Sequence, residues 1–403
     1  MPAITVPDLT DPLLYATEDP HPIFDSLRAH QPIHLAEGPR FPYWVVTKHA
    51  DIARAFKDTQ TFSTEYGVTL DTYRGHVLDP AAGKMLEFSN PEHHHVLRQA
   101  FNPSFTRTAV KAVEPMIRDF AIEHIEAAAA AETFDFAQEV AGPVTSAVVF
   151  GLLGFPQADW RMLFDLSRRS QERTHPTNPG RPPFPTSAAA ANYELVTYLK
   201  RLIAPGNDLL GDGYLRMLME VRPYGHPLTE DEVVLNGLNI MQGGNSTTRH
   251  AASGAVLALM DNPDQRERVT NRRHLALFVE EIVRWTTPAI HEVRRAMRDV
   301  EIRGQQIREG DAVTLWLVSA NRDEEIIPDP YAFDALRRPN PHLGFLYGPH
   351  RCLGINVARF ELRILMEEIL KRLPPLELAG EIERVPSNLI AGMEQLPVRV
   401  ANT

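Results

Sequence analysis

Cysteine is almost absent: Cys352 is the only one in 403 residues. That excludes an internal disulfide and a four-thiolate iron–sulfur cluster. No run of about eighteen apolar residues appears, so no membrane span is expected. Residues 1–20 carry acids and prolines instead of an apolar signal core, and the expected location is cytoplasmic. Basic residues are outnumbered, 41 Lys and Arg against 52 Asp and Glu, and the net charge of -11 works against a broad nucleic-acid surface. Internal repeats are lacking, and so is a Gly-x-Gly-x-x-Gly dinucleotide fingerprint. What is present, 43% hydrophobic and 23% charged residues, suits a globular chain with a sizeable core.

Local patterns read as mostly helix. Residues 43–46 look like a strand leading into a helix over about 50–56. Thr229 followed by Glu232 has the form of a capping box and opens a long helix running toward Met260. Residues 294–310 alternate around Gly304 and Gly310, as a hairpin would. After Leu353, the apolar residues Ile355, Ala358, Leu362, Leu365 and Ile369 recur at spacings of three and four, one buried helix face. Pro176, Pro179, Pro182, Pro183 and Pro185 mark a long loop, either a lid or a plain connector. No linker separates two halves. The expectation is one large domain over 1–403, mainly α with a small β portion at about 30–65 and 295–315.

A lone cysteine is most often a small buried hydrophobe, but Cys352 has particular surroundings. Gly348 and Gly354 let the backbone come close and aim N–H groups at the sulfur. The helix that starts just after it lowers the thiol pKa through its positive N-terminal end. His350 and Arg351 add donors beside it. The thiolate is the form that binds metal.

The run Phe345-x-x-Gly348-x-His350-x-Cys352-x-Gly354 resembles the haem-binding signature of the cytochrome P450 family. That resemblance implies haem b, with Cys352 as the proximal iron ligand, and the cytochrome P450 fold. Leu346 departs from the pattern, because Gly commonly follows the Phe. Glu281 and Arg284, three apart on one helix turn, resemble the family's Glu-x-x-Arg element, and Arg337 fits its third member. The resemblance makes this trio a structural network.

Three adjacent histidines, His93, His94 and His95, invite a metal reading. Helical neighbours point about 100° apart and cannot converge on one ion. His94 and Arg98 do share a face and resemble the family's His-x-x-x-Arg pair at the haem propionates. Arg294 and His350 complete that set by resemblance. The plain alternative for each is a solvated cation.

Gly243 and Gly244 inside a helix cost about 1 kcal/mol each relative to Ala, so the position needs a reason. Room for a flat ligand or for dioxygen is one. The stretch 243–248 resembles the family's distal helix, with Thr247 at the position of the Thr that steadies bound oxygen and helps deliver protons. The acid expected before it is Ser246. A substitute group or water chain, the substrate, or a peroxide route would then serve in its place.

The resemblance implies a monooxygenase that inserts one oxygen atom from dioxygen into a hydrophobic small molecule. Its electrons are expected from a separate ferredoxin and an NAD(P)H-dependent ferredoxin reductase, with Arg98, Arg107, Lys111 and Arg351 as a candidate basic patch. No nucleic acid is expected as a partner. The substrate pocket is expected along 66–85, the proline loop, Asn239 and Gly243, then Ala289, Ile290, His291 and Val293, and finally Ile390 and Met393. His291 and Glu292 read either as a polar anchor or as an exposed pair. Three alternatives stay open: a peroxide-driven haem-thiolate enzyme, a haem-containing binding module without turnover, and a zinc site at the histidines with Cys352 inert.

Overall fold

Aromatic and β-branched side chains favour a pleated, packed surface, and Tyr43, Trp44, Val45 and Val46 form most of the strand Pro42–Val46. The computed structural model describes residues 6–111, 113–171 and 186–401. The proline loop at 176–185 lies outside the described residues. The chain forms two compact units, Met1–His95 with Asn262–Leu353 and Arg384–Gly392, and Val96–Asp261 with Gly354–Glu383 and Met393–Thr403.

The first unit is built on a five-stranded sheet in the order Ile33–Glu37, Pro42–Val46, Ala312–Trp316, His291–Ala296, Phe62–Ser63. Pro42–Val46 runs parallel to Ala312–Trp316, and the other pairings are antiparallel. Every residue of Ala312–Trp316 is buried, as a central strand covered on both faces requires. The expected hairpin over 294–310 is shorter than the alternation suggested. Val300–Ile302 pairs with Gln305–Ile307 across Arg303 and Gly304, both at positive φ. Arg294 belongs to the larger sheet, because its strand continues the ladder with Val313.

The second unit is helical. Glu230–Asp261 opens as the capping box requires: the Glu232 N–H donates to Thr229 Oγ1 at 3.3 Å, and the Thr229 N–H donates to Glu232 Oε2 at 2.7 Å. This helix packs against Gly142–Leu153. Ile355–Arg372 buries Ile355, Leu362, Leu365 and Ile369, the face its spacing predicts. A three-stranded sheet, Phe134–Asp135, Pro397–Val400 and Leu376–Leu378, closes the unit. Asp135 Oδ1 ties it to the helices by accepting from the N–H groups of Ala137, Gln138 and Leu396. Among the described residues one stretch, Phe136–Leu153, is long and apolar enough to cross a membrane, and 72% of it is buried.

Candidate functional site

In the first unit Cys352 sits at the end of a loop wound tightly on itself. Its N–H donates to the Phe345 carbonyl at 2.9 Å, Leu346 N–H to Leu343 O at 2.8 Å, and Arg351 N–H to Gly348 O at 3.2 Å. Gly348 is at φ +71, and a Cβ there would lie 2.5 Å from the Phe56 carbonyl oxygen, so both conformation and close approach demand glycine. Leu346 takes φ +59. That left-handed conformation explains why glycine suits this position: a leucine pays a steric penalty there. Its side chain is packed against the core cluster around Trp44, Phe56 and Leu343, which offsets part of that cost.

Two histidines and an arginine lie in the same unit. The rings of His94 and His350 are 4.0 Å apart, and His94 is buried. Arg294 is buried as well, with Nη1 donating to Glu292 Oε2 at 3.1 Å and its guanidinium 5.3 Å over the Phe56 ring. Burial pushes the Glu292 carboxyl up to about 7, against the pull of Arg294 and with a further push from Glu87. His291 and Glu292 are both buried, so of the two readings, polar anchor or exposed pair, the exposed pair does not hold. The spacing of two between Glu292 and Arg294, which puts both on one strand face, was the available signal.

The trio Glu281, Arg284 and Arg337 is fully assembled. Arg284 clasps Glu281 through Nη2 at 2.7 Å and Nε at 2.8 Å, both side chains at 0% exposure. Arg337 Nε donates to the same carboxylate at 3.1 Å. The Asp334 N–H and Asn340 Nδ2 also donate to it, at 3.0 and 3.1 Å. The remaining Arg284 and Arg337 donors reach carbonyls of Asn321, Pro330, Pro328 and Ala332. An isolated exposed pair would be worth little; this one organises the chain that leads into the cysteine loop.

Three expected pocket residues are fully buried. Ile290 and Val293 belong to the apolar core around Trp316, at 1% and 0% exposure. His291 is buried too, stacked 4.8 Å from Trp316. Its Nδ1 contacts Asn388 O at 2.9 Å and its Nε2 accepts from the Leu70 N–H at 3.3 Å. His291 and Val293 lie on a strand held between Ala312–Trp316 and Phe62–Ser63, and Ile290 directly precedes it. Ala289 and Ile390, both half-buried, pair as an isolated bridge.

In the second unit the helix Glu230–Asp261 runs unbroken through Gly243 and Gly244. A Cβ at Gly244 would meet Val149 Cγ2 at 2.8 Å, so this glycine admits the neighbouring helix. A Cβ at Gly243 meets nothing within 4 Å. The Thr247 hydroxyl donates to Gly243 O at 2.9 Å, which leaves its lone pairs as acceptors. Ser246 is buried, and Asn239 is half-buried. Met393 is buried, and its N–H donates to His250 Nδ1 at 3.3 Å. Arg98 Nε donates to Asn102 Oδ1 at 3.0 Å. Gly354 caps Ile355–Arg372 at φ -80, a conformation open to any residue. Among the described residues no group of three or more His, Cys, Asp or Glu is placed to hold a metal ion.

Comparison with known proteins identifies the scaffold. Residues 271–384 match the Cytochrome P450 family model. Cytochrome P450 NovI of Streptomyces niveus is 32% identical over 98% of this chain and 96% of its own length. The Steroid C26-monooxygenase of Mycolicibacterium smegmatis is 31% identical over 99% of this chain and 95% of its own. Among solved structures, Mycobacterium marinum cytochrome P450 CYP268A2 in complex with pseudoionone superposes with a TM-score of 0.89, at 28% identity over 99% of both chains. P450 OxyD, involved in the biosynthesis of vancomycin-type antibiotics, gives 0.85 at 30% identity over 98% of this chain and 100% of its own. The chain belongs to the cytochrome P450 family. It is a monooxygenase with the mainly α fold and the haem b cofactor of that family, and its residues fit the group: a single thiol in a fixed loop, with buried His94 and Arg294 in the same unit.

Proposed function

We propose that Cys352 would hold the haem iron through its thiolate, in an enzyme that inserts one oxygen atom from dioxygen into a hydrophobic small molecule. The observation that carries this reading is the fixed Cys352 loop, in which the only sulfur nucleophile of the chain is held by the Phe345 carbonyl and the Gly348 turn. Bound haem supplies oxygen activation, with a thiolate ligand favouring O–O cleavage. Everything else falls to side chains. His94, Arg98, Arg294 and His350 offer cations to the propionates. Phe345, Gly348 and Gly354 shape the ligand loop. Thr247 presents hydroxyl lone pairs from a helix whose Gly243 carries no side chain. Glu281, Arg284 and Arg337 hold the chain entering the cysteine loop.

Electrons come from a ferredoxin and its NAD(P)H-dependent reductase in the cytoplasm. Arg107 and Lys111, exposed on the helix Arg107–Lys111, are suitable contacts for an acidic ferredoxin. Relatives named for steroid and methyl-branched lipid oxidation favour a lipophilic substrate. Of the expected lining residues in the first unit, Ala289 and Ile390 are half-buried. The deciding experiment is a spin-state titration of the ferric protein with steroids, terpenoids, fatty acids and aromatics, followed by product analysis with ferredoxin, reductase and NAD(P)H. A saturable low-to-high-spin shift with one class, and an oxygenated product from it, is the expected result; product in no electron-supplied reaction would refute the reading.

One observation favours a second reading. Ser246 is buried where an acid would relay protons, which suits a peroxide-driven enzyme. That reading requires turnover with hydrogen peroxide alone and no gain from ferredoxin.

A further inference from the structure

The helix Glu230–Asp261 carries a guanidinium that forms no ion pair with a carboxylate among the described residues. Arg249 is 6% exposed, and its Nε–H has no acceptor among the described residues. Its Nη2 lies 3.2 Å from His250 Nε2. That imidazole is held neutral, since burial and then the charge of Arg249 lower its pKa. A neutral imidazole has one bare nitrogen, and His250 faces a second donor, the Met393 N–H at 3.3 Å. It can accept from only one of the two. Glu394 and Asp135 act on Arg249 through the longer-range field, and neither forms an ion pair with it among the described residues. Asp135 is occupied by its three backbone N–H groups.

Arg249 lines a small pocket with Phe164, Ser167, Arg168, Asn245 and Ser246. Arg168 brings a second positive charge, near enough to bear on Arg249. The amide of Asn245 is oriented by its neighbours: Nδ2 donates to Ser167 Oγ at 2.8 Å, and Oδ1 accepts from Ser146 Oγ at 2.7 Å. That orientation leaves the Ser167 hydroxyl as a donor. The described lining therefore turns the Arg249 guanidinium and two hydroxyls toward the pocket, with no acid among its described residues. A buried charge without a counter-charge is among the costliest features a fold carries. Donors of this kind bind anions, and the pocket has room for about one water-sized group.

We propose that Arg249, Ser246 and Ser167 form a binding site for a small monovalent anion, either chloride or the end of a carboxylate. The two share one chemistry, a single negative charge accepting guanidinium and hydroxyl donors. The site stands independently of the role of Cys352.

The test is the apparent Tm of the ferric holoprotein in chloride, bromide, formate or acetate, with sodium gluconate holding ionic strength constant. Wild type is expected to rise saturably, by roughly 3 °C at a hundredfold excess over Kd. Arg249→Gln loses the response. Ser246→Asp places a carboxylate in the pocket, so it also loses the response while melting no lower than wild type in saturating chloride. Bromide-soaked crystals are expected to show an anomalous peak beside Arg249. A response to halides assigns a free ion. A response to formate and acetate without halides assigns the carboxylate of an organic ligand. No shift with any anion at constant ionic strength, or equal shifts in wild type and both variants, would overturn the site.

Discussion

Thr247 and Ser246 are neighbours on one helix with opposite surroundings. Thr247 is half-exposed and donates to Gly243 O, while Ser246 is buried on the side of Arg249. Thr247→Ala keeps the helix and removes the hydroxyl. NAD(P)H consumption should continue while product falls several-fold and peroxide accumulates; unchanged coupling would contradict the role given to Thr247. Glu292 makes a different prediction. Burial raises its carboxyl from 4.5 to about 7 in the folded protein. Because the folded value is the higher, the stability gained by protonation is full below about pH 4.5 and is lost as pH rises through about 7. Glu292→Gln fixes the neutral form, so its stability relative to wild type should climb between about pH 4.5 and 7 and level off above that. A difference independent of pH, measured by thermal melts, would show that Glu292 does not titrate there.

At the scale of elements, the Glu281 cluster and the cysteine loop depend on buried polar contacts and on one glycine. Removing one member of a buried ion pair costs about 3–5 kcal/mol, so Glu281→Ala should yield little folded, haem-loaded protein. Near-normal haem content and melting would refute the structural role. Gly348→Ala forces a side chain into φ +71 and against the Phe56 carbonyl, a loss of at least about 1–2 kcal/mol in urea unfolding. These elements differ in how far the sequence announced them. The Thr229–Glu232 cap, the face of Ile355–Arg372 and the offsets around Cys352 are local patterns and were legible. The burial of Glu281 and Arg284 was not, because a pair three apart looks the same on any helix. The packing of Ile290, His291 and Val293 around Trp316 was not legible either, since only the tertiary fold brings these segments together. Arg249, one turn beyond Ser246, carried no signal until the lack of a nearby acid became visible.

On the scale of the whole molecule, the chain carries a net charge of -11, yet Arg107 and Lys111 present positive charge at the surface. If they meet an acidic ferredoxin, Lys111→Glu should lower the electron-transfer rate about tenfold at low salt and flatten its dependence on ionic strength. Equal rates and equal salt slopes would place the contact elsewhere. All of this chemistry rests on one sulfur atom. The most direct test is the absorption spectrum of the ferrous carbon monoxide complex in wild type and Cys352→Ala. Wild type should show the red-shifted Soret band of a thiolate-ligated haem, and Cys352→Ala should lose it even where some haem stays bound. Retention of that band without Cys352 would contradict the assignment outright.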